Sequence, residues 1–437
     1  MSSAVDFIRR ALPKERFTRG VMVLAGGSFS SQVLLAIVTP ITTRLYSPSD
    51  FGVLAVYTSI AAMLSLISSG RYELSIPICE NNATAANVLA LSIIINSLSA
   101  IAVMIAVWLC GDYFLEHIQA TNLRRYLWLL PVSMIFTGTY QVFSYFAVRN
   151  KKFSDLARTK LSQSICANAI VLGLGLLKVG PIGLLLGLLA SGSSGITTLA
   201  RPLLREYRDC LKSISWSEMR RLLSLYRKFP LMSAPSALLN NAACSLPAII
   251  LAAYYGNKVA GLFGLSMKMV GIPGMLLCLA VSQAYLGEIA EATRENPEQV
   301  PRIFTSVTKK MLKVSLLVVA FGCISPYIFG VIFGQTWKAA GIYSALLCFY
   351  AAAQLVVSPT SMVVVVMERQ DLQMLGDFVR CVLVLASLII PYKLHLSADV
   401  AIASYSAIMV LTYVGYYMIY KWVAFSSQRL IAARKTE

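Results

Sequence analysis

Long apolar blocks alternate with short polar ones along this chain, and the blocks are all of similar length. Twelve stretches stand out, at 20–44, 51–77, 86–111, 123–148, 156–178, 181–200, 230–255, 259–287, 308–334, 338–366, 372–394 and 398–424. Each supplies the roughly 20 apolar residues that a helix needs to cross a bilayer core of about 30 Å. In lipid, a segment of that kind satisfies its backbone N–H and C=O groups only by closing on itself as a helix. The pattern therefore predicts an all-α, polytopic membrane protein with about 12 transmembrane helices. The first stretch does not read as a cleaved signal peptide, because it is too long and carries the polar run Ser28, Ser30, Ser31 and Gln32.

Composition agrees. Of the 437 residues, 57% are hydrophobic and only 13% charged, where a soluble domain carries about a quarter charged residues. This excludes an ordinary soluble enzyme, a disordered chain and a disulfide scaffold. The net charge of +18 would suggest nucleic acid in a soluble protein, but here the positive-inside rule accounts for it. With the N-terminus inside, 29 Lys and Arg fall on the cytoplasmic side and 7 on the other. That bias predicts two cytoplasmic termini, an even number of spans and no nucleic-acid partner. The nine Cys stand singly and read as inert buried thiols. With only His117 and His395, no metal site is expected, and no cofactor. No phosphate-binding loop, nucleophile elbow or zinc-protease motif is present, so the expected activity is transport and not catalysis.

The basic loop 201–229 separates an N-lobe (1–200, helices 1–6) from a C-lobe (230–424, helices 7–12), with a cytoplasmic tail at 425–437. Within the loop, Ser215-Trp216-Ser217-Glu218 forms a capping box. Met219, Leu222, Leu223 and Tyr226 follow at helical spacing, surrounded by Arg220, Arg221, Arg227 and Lys228. This predicts an amphipathic helix lying on the cytoplasmic membrane surface, with a tether between lobes as its plainest role. The lobes also show a faint repeat. Phe51-Gly52-Val53-Leu54 and Ala260-Gly261-Leu262-Phe263 are offset by 209 residues, as expected for two parallel repeats.

A charge at the bilayer centre costs at least about 2.5 kcal/mol on insertion scales, so intramembrane ionisable residues face an interior or a water-filled cavity. Lys268, about nine residues into helix 8, is too deep for easy snorkelling and reads as a cavity-facing cation. Asp377 and Arg380, at i and i+3 on helix 11, meet on one face, either as a structural pair or as a titrating carboxylate held by an arginine. Gly70-Arg71-Tyr72-Glu73 closes helix 2. On a continuous helix Arg71 and Glu73 point about 200° apart, so Arg71 is either an interface anchor or an anion contact at the cavity mouth. Arg44 ends helix 1 and has the same two readings. Asp377 and Glu73 are the candidates for ion coupling. Asn168, Asn240, Asn241, Gln283 and Gln354 are expected to bond neighbouring helices.

Three segments carry a resemblance. They are Pro40-Ile41-Thr42-Thr43-Arg44-Leu45-Tyr46-Ser47-Pro48 through Phe51-Gly52 to Gly70-Arg71-Tyr72-Glu73; Ile272-Pro273 with Val281-Ser282-Gln283-Ala284-Tyr285; and Phe333-Gly334-Gln335-Thr336-Trp337-Lys338-Ala339-Ala340-Gly341-Ile342-Tyr343, continuing to Ser358-Pro359 and Glu368-Arg369-Gln370. Together they resemble the O-antigen and lipid-linked oligosaccharide flippases of the multidrug/oligosaccharidyl-lipid/polysaccharide exporter superfamily. The resemblance implies two six-helix lobes around a central cavity in the bacterial inner membrane. It implies translocation of polyprenyl-diphosphate-linked oligosaccharide by alternating access, for O-antigen, capsule or exopolysaccharide, with polymerase and ligase proteins acting on the outer side. Lys268, Arg380, Arg71 and Arg44 would then be cavity cations for the diphosphate. In one departure, Ala284-Tyr285-Leu286-Gly287 stands where many relatives have a proline.

Two other functions compete. An ion-coupled multidrug exporter of the toxin-extrusion type would be expected to favour acidic and aromatic groups in its cavity. A multi-span glycan polymerase would be expected to show a long periplasmic loop or a carboxylate cluster.

Overall fold

The structure, a computed structural model, describes residues 16–117, 121–367 and 369–426. Every regular element among them is helical. In chain order the longer α-helices are α1 (Arg16–Leu45), α2 (Pro48–Ile67), α3 (Asn82–His117), α4 (Leu129–Arg149), α5 (Phe153–Leu176), α6 (Ile182–Ser193), α7 (Ile196–Glu206), α8 (Trp216–Leu225), α9 (Ala234–Tyr255), α10 (Asn257–Glu295), α11 (Val300–Phe333), α12 (Lys338–Val357), α13 (Gln370–Lys393) and α14 (Ala398–Phe425). Taking α6 and α7 as one broken span and leaving α8 aside, the positions match the twelve predicted stretches. The stretch at 425–437 is described only as far as Ser426; its remainder lies outside the described residues.

Eight of the spans are long and apolar enough to cross a membrane by length and composition alone. The other four long helices, α1, α4, α5 and α10, carry polar residues that the fold uses internally. In α1, the Ser31 hydroxyl donates to the Lys160 carbonyl on α5 at 2.9 Å, and Gly27 lies against Ala157 of that helix. Gly27 and Ser31 thus form part of a helix–helix seam of the small-residue kind found in membranes. The helix α10 continues unbroken through Ala284–Gly287.

Several boundaries differ from expectation for visible reasons. Helix α2 stops at Ile67, ten residues early. Gly70 and Arg71 then take left-handed conformations (φ 60° and 63°), and Tyr72–Ile78 continues as a 3₁₀ helix. Helix α6 breaks at Ser194–Gly195, where a side chain in place of Gly195 would collide with the Tyr140 ring. Helix α7 carries the chain to Glu206, so the central loop is helical at its start.

By contacts the chain forms two compact units. Among the described residues, one comprises 16–45, 61–114 and 123–235; the other comprises 46–60, 115–117, 121–122, 236–367 and 369–426. The first holds a core in which Ile76, Val88, Val142, Phe146, Leu203 and Leu222 pack together. In the second, Val270, Val318, Cys348 and Leu355 form one cluster, and Trp337, fully buried, stacks edge-on against Phe51 at 4.8 Å.

The predicted capping box forms: the Ser215 side chain accepts from the Glu218 N–H at 3.3 Å. Its stripe is partly covered by protein. Met219 and Leu222 are buried against Tyr72, Leu91 and the first-unit core, with Tyr226 packed beside them, while Leu223 of the same stripe stays exposed. The expectation of buried thiols needs a correction. Cys79, Cys348 and Cys381 are buried, whereas Cys110, Cys244 and Cys323 are exposed on helix surfaces.

Candidate functional site

In the first unit, the Gly70–Glu73 segment is a built turn and not the end of a straight helix. This changes the geometry of its two charges. Glu73 is 2% exposed and accepts a short hydrogen bond from the Ser69 hydroxyl, and the Arg71 guanidinium interacts electrostatically with it. The turn thus gives the two charges a common environment that a continuous helix would deny them. Arg71 is half-buried, and its Nε is buried without a hydrogen-bond partner. Arg149 on α4 locks the 3₁₀ segment. Its Nη1 donates to the carbonyls of Ile76 (3.2 Å), Pro77 (3.3 Å) and Cys79 (2.6 Å), while its Nε reaches Asn82 at 3.2 Å. Arg44 stands exposed in the last turn of α1.

The second unit gathers its charges on α13. Asp377 and Arg380 pair at 3.2 Å and are 9% and 6% exposed. The other contacts come from two further helices. Asn240 on α9 donates to Asp377 Oδ2 at 2.8 Å, and the Tyr416 hydroxyl on α14 donates to Asp377 Oδ1 at 2.6 Å. Arg380 also donates to the Asn240 carbonyl at 3.3 Å and lies 6.0 Å from the Tyr416 ring centroid. Its Nε is buried and unpartnered. Asp377 thus receives donors from Arg380, Asn240 and Tyr416, and the Arg380 guanidinium has its counter-charge one helical turn away. Both readings of Asp377 and Arg380, a structural pair and a carboxylate held by an arginine, contain this contact, which is fixed from three helices. Asn240 bonds a neighbouring helix as expected.

Lys268 is different. It is half-buried on α10, and no ion pair or hydrogen bond holds its ammonium among the described residues. It does not pair with Asp377. The side chain of Gln283, another polar residue of α10, lies outside the described side chains.

Sequence reasoning missed the tyrosines. Tyr413, Tyr416 and Tyr420 follow one face of α14 and are all buried. Tyr413 stacks on Tyr350 of α12 at 6.0 Å, and Tyr416 on Tyr420 at 5.8 Å. Their i, i+3, i+7 spacing was visible; their partner on α13 was not. No group of His, Cys, Asp and Glu suited to a metal ion occurs among the described residues.

With this geometry in place, comparison with known proteins is informative. The profile of a family described as "Polysaccharide biosynthesis protein" matches residues 41–342. No curated protein matches the sequence. Among solved structures, a multidrug resistance MATE family transporter of the MOP superfamily, in its inward-facing conformation, gives a TM-score of 0.77 at 14% identity, over 91% of this chain and 96% of that one. An outward-facing MATE family transporter gives 0.58 at 16% identity, over 95% and 99%. A MOP superfamily transporter from Pyrococcus furiosus, whose binding pocket is described as of reverse polarity and suggestive of a different function, gives 0.64 at 14% identity, over 94% and 96%. At these identities the likeness is one of fold, and it covers nearly the whole of each chain.

Proposed function

Because this chain belongs to the polysaccharide biosynthesis protein family, we propose that it is a membrane transporter that flips polyprenyl-diphosphate-linked oligosaccharide units across the bacterial inner membrane. The glycan would serve O-antigen, capsule or exopolysaccharide assembly, with polymerase and ligase proteins as partners on the outer side. The observation that carries the reading is Lys268. Arg380 is paired with Asp377, while Lys268 on α10 has no carboxylate partner among the described residues. A diphosphate entering a low-dielectric site needs fixed cations to replace its water, whereas a cationic drug would be repelled by one. Arg71 and Arg44 are the further cations available to such a cargo.

The MATE fold of the structural neighbours keeps a second reading in play, an ion-coupled multidrug exporter. The Pyrococcus furiosus neighbour, described by the reverse polarity of its pocket, suggests that interior charge and not fold sets the cargo in this architecture. In a strain lacking the gene, surface glycan and lipid-linked intermediates are measured after complementation. Wild type restores glycan, Lys268→Arg restores part of it, and Lys268→Ala, at normal protein level, loses about tenfold or more, as for removal of a charge-assisted contact. Full glycan export by well-expressed Lys268→Ala would remove the cavity role. Intact glycan with new drug sensitivity in the deletion strain would favour the exporter.

A further inference from the structure

With Met219 and Leu222 packed into protein, α8 still leaves an amphipathic flank uncovered. Trp216 is 69% exposed, Leu223 45% and Leu225 59%, and Arg220, Arg221, Arg227 and Lys228 are all exposed beside them. Only Arg221 is engaged, by Glu218 through two hydrogen bonds of 2.9 and 2.6 Å. Arg220, Arg227 and Lys228 have no partner among the described residues. At 100° per residue, Leu223, Trp216 and Arg220 fall within about 60° of one another, on the flank next to the buried face. One side of the helix therefore carries an aromatic residue, an aliphatic residue and a cation together.

The level at which α8 docks says what lies against that flank. The Asn87 side chain, five residues into α3, accepts from the Ser215 N–H at 3.0 Å and donates to the Ser213 carbonyl at 3.2 Å. Met219 packs on Leu91 one turn further along. At 1.5 Å per residue these contacts sit about 8 and 13 Å into the helix. The next turns of α3 present Ile94, Leu98 and Ile101 outward, up to 60% exposed, which is the surface a spanning helix offers to acyl chains. Thus α8 docks on the first turns of a helix long and apolar enough to cross a membrane, just before that helix turns its apolar side chains outward. Tryptophan is the residue of the membrane–water boundary, and cations beside it attract the anionic leaflet.

We propose that the Trp216–Arg220–Leu223 flank of α8, extended by Arg227 and Lys228, is a binding surface for anionic phospholipid headgroups of the leaflet on the basic, cytoplasmic side. Trp216 and Leu223 enter the boundary, and the guanidinium of Arg220 with the cations of Arg227 and Lys228 bridge lipid phosphates. The inference rests on the charge-based topology and is independent of what the protein transports.

The test uses the full-length protein in vesicles containing brominated phosphatidylcholine or brominated phosphatidylglycerol at equal mole fraction. Trp216 is isolated by subtracting the fluorescence of Trp216→Phe, a substitution at an exposed site. The expected result is quenching of the Trp216 signal by brominated lipid, stronger with phosphatidylglycerol. One cationic contact is worth about fivefold local enrichment, and the preference should collapse in high salt and in Arg220→Gln/Arg227→Gln/Lys228→Gln. The same substitutions at Lys309 and Lys310 should leave it intact. Equal quenching by the two lipids would overturn the anionic selectivity. A Trp216 signal untouched by either lipid and open to aqueous quencher would overturn the surface altogether, leaving the face to solvent or to an acidic protein segment.

Discussion

The crossing of α2 and α10 offers the sharpest quantitative test of this packing. Both segments fall in the second contact unit. A Cβ at Gly52 would lie 2.6 Å from the carbonyl carbon of Asn257 and 2.9 Å from its Cα, with the carbonyl oxygen closer still. A Cβ at Gly261 would lie 2.7 Å from the Gly52 nitrogen and 2.9 Å from the Pro48 carbonyl carbon. Non-bonded carbons settle at about 3.5–4.0 Å, so either alanine must push two backbones apart by roughly 1 Å. The obstacle is main chain and has no rotamer to escape into. Overpacking of this kind costs about 1–3 kcal/mol, and the high end is expected where backbone meets backbone. Gly264 supplies the control: its Cβ would sit 3.4 Å from the Ala55 methyl, an ordinary contact. Thermal unfolding in detergent, followed by monodispersity on size-exclusion chromatography, should show Gly52→Ala and Gly261→Ala each lowered by several degrees and Gly264→Ala unchanged. Wild-type melting of either of the first two would refute the close crossing.

Two further outcomes follow from the polar centres. Asp377→Asn leaves the Arg380 guanidinium buried without its counter-charge, which costs about 3–5 kcal/mol for a broken buried pair; adding Arg380→Gln should recover most of that in the same melting assay, whereas a normally folded Asp377→Asn protein lacking export would instead mark Asp377 as the coupling carboxylate. Burial beside the Cys79 thiol pushes the Tyr226 hydroxyl up to about 12 from 10.0; since the folded state keeps that proton longer than the unfolded one, the stability it contributes is full below pH 10 and lost as pH rises toward about 12, so the gap between wild type and Tyr226→Phe should narrow or reverse over that window.

How far the sequence revealed the fold depended on the kind of information each element carries. Hydrophobic length located the twelve long helical stretches, with some ends displaced by eight to ten residues, because bilayer thickness sets that length independently of neighbours. Helix α2 was extended too far because Tyr72–Ile78 remains apolar; the Ser68-Ser69-Gly70 stop was present, but hydropathy outweighed it. The α8 stripe was legible, but periodicity shows only that a face is apolar and does not say that protein buries Met219 and Leu222 and leaves Leu223 exposed. At the candidate site, Asp377 and Arg380 were legible through i,i+3 spacing, which is local. Their hold by Asn240 and Tyr416, from α9 and α14, depends on tertiary placement and has no local signature. Lys268 was legible through depth alone, and its lack of a described partner was a question only coordinates could answer.

The repeat shows how a weak local signal gains force when geometry is added. An offset of 209 residues between two short apolar segments means little in a chain that is 57% hydrophobic. Yet Gly52 meets Asn257 and Gly261 meets Pro48, and each pair is the other's image under that offset. Ala55 and Gly264, themselves repeat mates, face one another. Reciprocal contact of this kind is the mark of an isologous, two-fold-related interface, here between two segments of one chain, and chance similarity between aliphatic helices would not produce it. It has an energetic consequence. Because Gly52 and Gly261 lie on one crossing, a single separation of about 1 Å relieves both clashes. The double variant Gly52→Ala/Gly261→Ala should therefore be less destabilised than the sum of the singles, by about 0.5–3 kcal/mol as for residues in direct contact. Strict additivity in the double-mutant cycle would mean that each alanine is accommodated on its own, and the shared crossing would then be wrong.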